Sequence, residues 1–310
     1  MIRLDAGTVL LQWATGGLLF LWVTTRRREV GVGYGWLMRG TFAALAAGSV
    51  AAGRALEPVL VRDAAAAGVA LAAATALGVS VVRRRAGVAG EHERHERRAA
   101  RVATMTRTAA DGPADQPSVP ADQPPGAVAP GHHAPGRDRA ATPARGPEFP
   151  PLLDAVAPAV GAVGLVAAGM AAGGSDAVAV LRTLVGAAFL GVVTDAMLLG
   201  HWYLVQPGLA RGPLLELVRW LIVLWPVEVG ALLLPTGMLS ALAGTVDDGY
   251  GGLLSWFWVA CALATIVLAI VTRAALRERY YSAVMAATGL LYLAILTAFG
   301  TDLVARAVLA

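Results

Sequence analysis

The sequence predicts an all-α polytopic membrane protein, with about eight transmembrane helices in a 3+5 arrangement split by a disordered cytoplasmic linker. Three observations predict it. Residues of the set AVILMFWYC fill 57% of the 310 positions and only 15% are charged, against roughly 45–50% and 25% in a soluble domain. The charges gather in short clusters between apolar runs of about 20 residues, the length that crosses roughly 30 Å of hydrocarbon. A single long stretch, 86–150, breaks this rhythm and holds most of the prolines.

Taken in order, the apolar runs place spans at 7–25, 33–53 and 64–82, then at 152–172, 178–205, 213–235, 252–273 and 281–304. The first run is not read as a cleaved signal peptide. It has no basic region beyond Arg3 before it, and the triple arginine Arg26, Arg27, Arg28 follows it. The chain thus divides into a three-helix membrane segment (1–85), a linker (86–150) and a five-helix membrane segment (151–310). The linker opens with the charged run Glu91 to Arg98, read as a cytoplasmic extension of the third helix. Beyond Asp111 it turns to Pro, Ala, Gly and Asp, a composition that buries too little apolar surface to offset its ordering entropy.

Arginine placement gives the orientation. One set of loops carries Arg26 to Arg28, Arg83 to Arg85, the Arg-rich linker, Arg211, Arg273, Arg277 and Arg279. The other carries Arg3, Arg54, Arg62 and Arg306. Positive charge stays in the cytoplasm, so the first set is cytoplasmic and both termini lie outside. Every basic residue is arginine, and lysine and asparagine are absent, which points to a GC-rich bacterial genome and hence to a bacterial cytoplasmic membrane. A pI near 9.7 does not call for nucleic acid, because these arginines flank apolar runs where they meet lipid headgroups. The expected partners are the lipid bilayer and other membrane subunits.

Small residues recur at four-residue spacing, Ala66, Ala70, Ala74 and Gly78 in the third span and Ala157 and Gly161 in the fourth. Such rows let helices approach closely, and packing within the chain is preferred over a dimer seam. The one cysteine, Cys261, sits in an apolar run and is read as a small buried hydrophobe.

Charged side chains inside spans cost about 2.5–3.5 kcal/mol each on insertion scales, so they mark the candidate site: Asp195, Arg219, Arg39, Glu216 and Glu228, with His201 beside them. Asp195 lies roughly 12 Å, and Arg219 and Arg39 about 9 Å, from the cytoplasmic ends of their spans. Similar depth permits an Asp195–Arg219 or an Asp195–Arg39 pair. Glu216 shares a face with Arg219, whereas Glu228, beyond Pro226, faces a different neighbour. The string Gly200 to Gly208 closes the fifth span with His, Trp, Tyr and Pro-Gly, which suits a helix end at a membrane interface.

Thr194, Met197 and His201 share one helix face, so His201 could ligate a haem. The other histidines, His92, His95, His132 and His133, all lie in the linker, which rules out a haem held by two histidines of the chain and leaves a single ligand, a methionine partner or a histidine from another subunit. His92, His95 and Glu96 have spacing for a metal but are read as solvated. No cofactor is expected, haem through His201 being the alternative. No phosphate loop, dinucleotide fingerprint or HExxH motif occurs. Three readings follow: a non-catalytic subunit or accessory protein of a membrane complex, including respiratory ones; a small-solute or ion permease using the intramembrane Asp, Arg and Glu; and a membrane enzyme or haem protein using His201.

Overall fold

A computed structural model describes residues 5–26, 29–83, 102, 149–173, 175–206, 209–233, 237–278 and 280–309. The described residues are all-α, in nine helices: α1 (Ala6–Thr25), α2 (Val32–Ala55), α3 (Leu60–Val82), α4 (Leu153–Ala171), α5 (Asp176–Val205), α6 (Gly212–Leu233), α7 (Met238–Leu242), α8 (Leu253–Ala275) and α9 (Tyr281–Leu309). Every one except α7 is 19–30 residues long, about 28–45 Å at 1.5 Å per residue. Six of them, α1, α3, α4, α5, α8 and α9, are long and apolar enough to cross a membrane. The chain is a multi-pass membrane protein. α2 is diluted by glycine and by Arg39 and Arg54, and α6 carries Glu216, Arg219 and Glu228. The linker expectation for 86–150 falls almost entirely outside the described residues.

The helix starts follow local chemistry. Asp5 caps α1 by accepting from the backbone N–H groups of Gly7 and Thr8, both at 3.1 Å, which satisfies donors that the first turn leaves open. Ahead of α8, whose N-cap is Gly252, the Asp248 side chain ties the preceding turn to the helix start by accepting from the backbone N–H groups of Gly252 at 2.8 Å and Ser255 at 3.0 Å. Pro158 and Pro226 lie within α4 and α6.

α1 is the central helix. It packs against α2, α4 and α5, and α3 closes the ring between α2 and α4. α5 carries the second half, with α6 and α9 against it and α8 against both. The core is apolar and tight, with Leu11, Phe42, Phe189, Leu190 and Leu217 fully buried. The closest approach is the α1–α5 crossing. A Cβ on Gly16 would sit 1.7 Å from the Ala187 carbonyl oxygen, and one on Gly191 would sit 2.1 Å from the Gly16 carbonyl carbon. Only glycine fits at either position.

Two expectations need correction. α3 starts at Leu60 and α9 runs to Leu309, so Arg62 and Arg306 are buried in the bundle at 1% exposure and are not loop residues. In α3 the row Ala66, Ala70, Ala74, Gly78 is not the packing face. Ala66 is buried, but Ala74 and Gly78 are exposed, and a Cβ on Gly78 would meet nothing. Steps of four drift 40° per turn at 100° per residue, so the buried face instead alternates as Ala66, Val69, Ala73, Ala76 and Ser80. In α4 the expectation holds: Ala157 is buried, and Gly161 admits Thr15, whose hydroxyl would lie 2.2 Å from an added Cβ.

Candidate functional site

Buried charge collects at the two ends of the bundle. At the end where α1 starts, Arg62 of α3 is held by Asp5, which it pairs with directly, and by Asp63 at 2.8 Å. It also donates to the Glu57 carbonyl at 2.6 Å. One turn deeper, Gln12 donates to the Thr183 carbonyl at 2.7 Å. Across from it, Arg306 pairs with Asp302 one turn back on α9, at 2.7 Å. Arg182 of α5 is buried and donates to the Ala231 carbonyl at 2.8 Å. Glu228 of α6 is fully buried beside Arg182, Asp302 and Arg306. A cleft with about 30 Å³ of space opens onto this cluster between Asp5, Thr8, Arg62, Thr183 and Arg306, room for about two waters.

At the opposite end, Arg39 of α2 and Asp154 of α4 form a two-pronged pair, 2.7 Å on both prongs, with each residue 3% exposed. Thr25 donates to Asp154 at 3.0 Å, and Phe149 lies 4.5 Å beneath the guanidinium. A planar guanidinium suits both contacts, the fork for the carboxylate and the face for the ring. Arg26 pairs with Glu216 at the same end. Arg211 ties two connections together by donating to the carbonyls of Glu278 and Tyr280.

The structure separates the six candidate residues. Asp195 pairs with neither Arg39 nor Arg219. Its side chain is fully buried and neither oxygen has a hydrogen-bond partner, while its backbone carbonyl accepts from Tyr34 at 3.4 Å. Arg39 is taken by Asp154 and Glu216 by Arg26. Arg219 is exposed. Glu228 does face away from Arg219, into the core. His201 is exposed, and its Nδ1 lies 3.0 Å from the Tyr292 hydroxyl. It shares no inward face with Thr194, which is buried and accepts from Trp13 at 2.9 Å. His92, His95, His132 and His133 lie outside the described residues, and among those described no group of three metal-ligating side chains occurs.

Asp5, Arg62, Asp63, Asp154, Arg182, Asp302 and Arg306 were not among the candidates. Most sit within a turn or two of a helix end, where a charged residue reads as part of a loop. A cue was present for Asp302 and Arg306, whose four-residue spacing puts opposite charges on one face. No family model, curated protein or solved structure matches the chain, so its functional reading rests on these residues alone.

Proposed function

We propose that the chain crosses a bacterial cytoplasmic membrane eight times, with both termini outside and residues 86–150 in the cytoplasm. On this reading it serves as a non-catalytic subunit or accessory protein of a membrane complex, with respiratory complexes among those it could serve. Contacts at both ends of α1 support eight crossings. Ser49, late in α2, donates to the Gly7 carbonyl at 2.7 Å, while Arg39, early in α2, reaches Thr25 through Asp154. α2 therefore runs the thickness of α1. In α6, Glu216 pairs with Arg26 at one end and Ala231 meets Arg182 at the other.

The observation that carries the accessory reading is that the four buried arginines, Arg39, Arg62, Arg182 and Arg306, are all bonded within the bundle and lie towards its ends, Asp195 and Glu228 being the buried carboxyls without a hydrogen-bond partner. No hydrogen bond between described residues joins the two clusters, and Leu11, Leu18, Phe42 and Leu190 fill the layer between them. A permease needs a polar path across that layer. The test is extraction in polymer nanodiscs without detergent. A membrane partner at fixed stoichiometry is the expected result, and a homogeneous lone chain would contradict it.

A second reading, an ion or small-solute permease, is favoured by one observation. Asp195 and Glu228 are buried carboxyls with no hydrogen-bond partner on either oxygen, and unpaired intramembrane acids mark ion and proton pathways. Flux into proteoliposomes that vanishes in Asp195→Asn would put this reading first.

A further inference from the structure

We propose that the exposed face of α6 binds the headgroup phosphate of an anionic phospholipid at Arg219. The site rests on the reading that α6 crosses the membrane, and it stands whether the chain assists a complex or conducts.

Arg219 differs from the other arginines within helices. Arg39, Arg62, Arg182 and Arg306 are buried, and each is bonded to a carboxylate or a carbonyl. Arg219 is exposed, and among the described residues no hydrogen bond or ion pair reaches it. Glu216, three residues before it, is engaged by Arg26. Glu29 sits against Gly212, about 10 Å up the helix from Arg219. A lone cation inside a span costs free energy unless an anion meets it or its side chain reaches the interface.

Neighbouring contacts fix its height. Arg26, the C-cap of α1, pairs with Glu216, and Phe20, deeper in α1, meets Trp220 edge-on with ring centroids 6.3 Å apart. The end of α1 and the start of α6 therefore run alongside in opposite directions. The Arg219 Cα lies about 4.5 Å deeper than that of Glu216. A long side chain on a helix leans towards the helix N-terminus, here towards the end of α1, so the guanidinium rises to the level of Arg26, where the span ends. Trp22 lies 5.8 Å beneath the Arg26 guanidinium, and Trp220 is 42% exposed; tryptophan belongs at this level of a bilayer. At 100° per residue, Glu216, Arg219, Trp220, Val223 and Val227 fall within about 100° of arc. Val223 and Val227 are exposed and continue this face towards the bilayer centre. The face thus offers a cation at headgroup level, an indole beside it and an apolar track beneath, the order of groups along a phospholipid. A soluble anion would match the cation alone. A guanidinium grips phosphate through paired N–H groups, and positive charge at the cytoplasmic surface favours an anionic headgroup.

The full chain in detergent is titrated with phosphatidylglycerol, phosphatidylcholine or inorganic phosphate, and Tm is read at each concentration. Phosphatidylglycerol is expected to raise Tm saturably, half-saturating at a concentration about fivefold below that of phosphatidylcholine. Inorganic phosphate should leave Tm in place. Arg219→Gln, at an exposed position, should fold and bring the two lipids level, and Arg219→Lys should keep the preference. Arg54→Gln, exposed at the opposite end of the bundle, should keep it as well. Lipids already level in the parent, or a preference that survives in Arg219→Gln, would overturn the site. So would a rise with inorganic phosphate, which would make the ligand a free anion, or a co-purifying protein that Arg219→Gln releases, which would make it a partner subunit. Cysteines at Gly212 and Gly244 report on α6 separately. Labelling of both from one side would sink the crossing and the site's depth with it, whereas labelling from opposite sides with a titration unchanged by Arg219→Gln would sink the lipid site alone.

Discussion

Asp154 binds the two halves of the chain together through one side chain. It accepts both prongs of Arg39 from α2 and the Thr25 hydroxyl from α1, while belonging to α4, the first of the described helices beyond residue 148. Removing either partner leaves the other buried without compensation, at a cost of about 3 kcal/mol or more. Arg39→Ala and Asp154→Ala should each lower Tm in detergent. The paired change Arg39→Met with Asp154→Leu should restore much of the loss, because the two costs are shared. Arg219→Ala should shift stability by less than about 0.5 kcal/mol, as for an exposed residue away from any network. The contrast shows what the sequence carries at this scale. Depth along a helix can be read from position, and Arg39 and Arg219 have nearly the same depth. Rotation about the helix axis decides which of them is buried, and neighbours fix it. Those neighbours, here Asp154 and Phe149, lie more than a hundred residues away in the chain.

At the scale of helices, two features carry specific expectations. The α1–α5 crossing depends on Gly16 and Gly191, each pressed against the other helix's backbone. Backbone cannot swing aside as a side chain can, so Gly191→Val should cost more than the roughly 1–3 kcal/mol typical of overpacking. The measurement is the yield of monodisperse protein and its Tm. The start of α8 should be acid-sensitive. Backbone N–H groups of Gly252 and Ser255 hold the Asp248 carboxyl down to about 2 from its ordinary value. A depressed value contributes stability above the unfolded value near 3.9, and that contribution is lost as the pH falls towards 2. Amide protection of Gly252 and Ser255 should therefore weaken over that interval in the parent and be weak at neutral pH in Asp248→Ala. Helix existence was legible because apolar runs have a length that only spans or long core helices need. Helix faces were less so: a row spaced by four in α3 leaves the buried face, whereas one such step in α4 stays on it.

For the whole molecule, the multi-pass architecture was legible in composition alone, but the central place of α1 was not. Its sequence is less hydropathic than those of α4 and α5, yet it touches α2, α4 and α5. Chain order would pair it with α2, and nothing local announces α4 and α5. The proposed topology predicts that a membrane-impermeant thiol reagent added from outside labels a cysteine at Gly244 and not one at Ala127. The reverse pattern would invert the orientation.

The central claim is that the helices before and after 84–148 form one bundle, clasped by buried ion pairs that are structural at the Arg39 end. It is tested most directly by expressing 1–101 and 149–310 as separate chains in the same cells and measuring co-purification through a tag on one. The halves should associate in equal amounts, and Arg39→Ala in the first or Asp154→Ala in the second should reduce the yield of complex. Two stable halves that purify apart, or a complex indifferent to both substitutions, would contradict it.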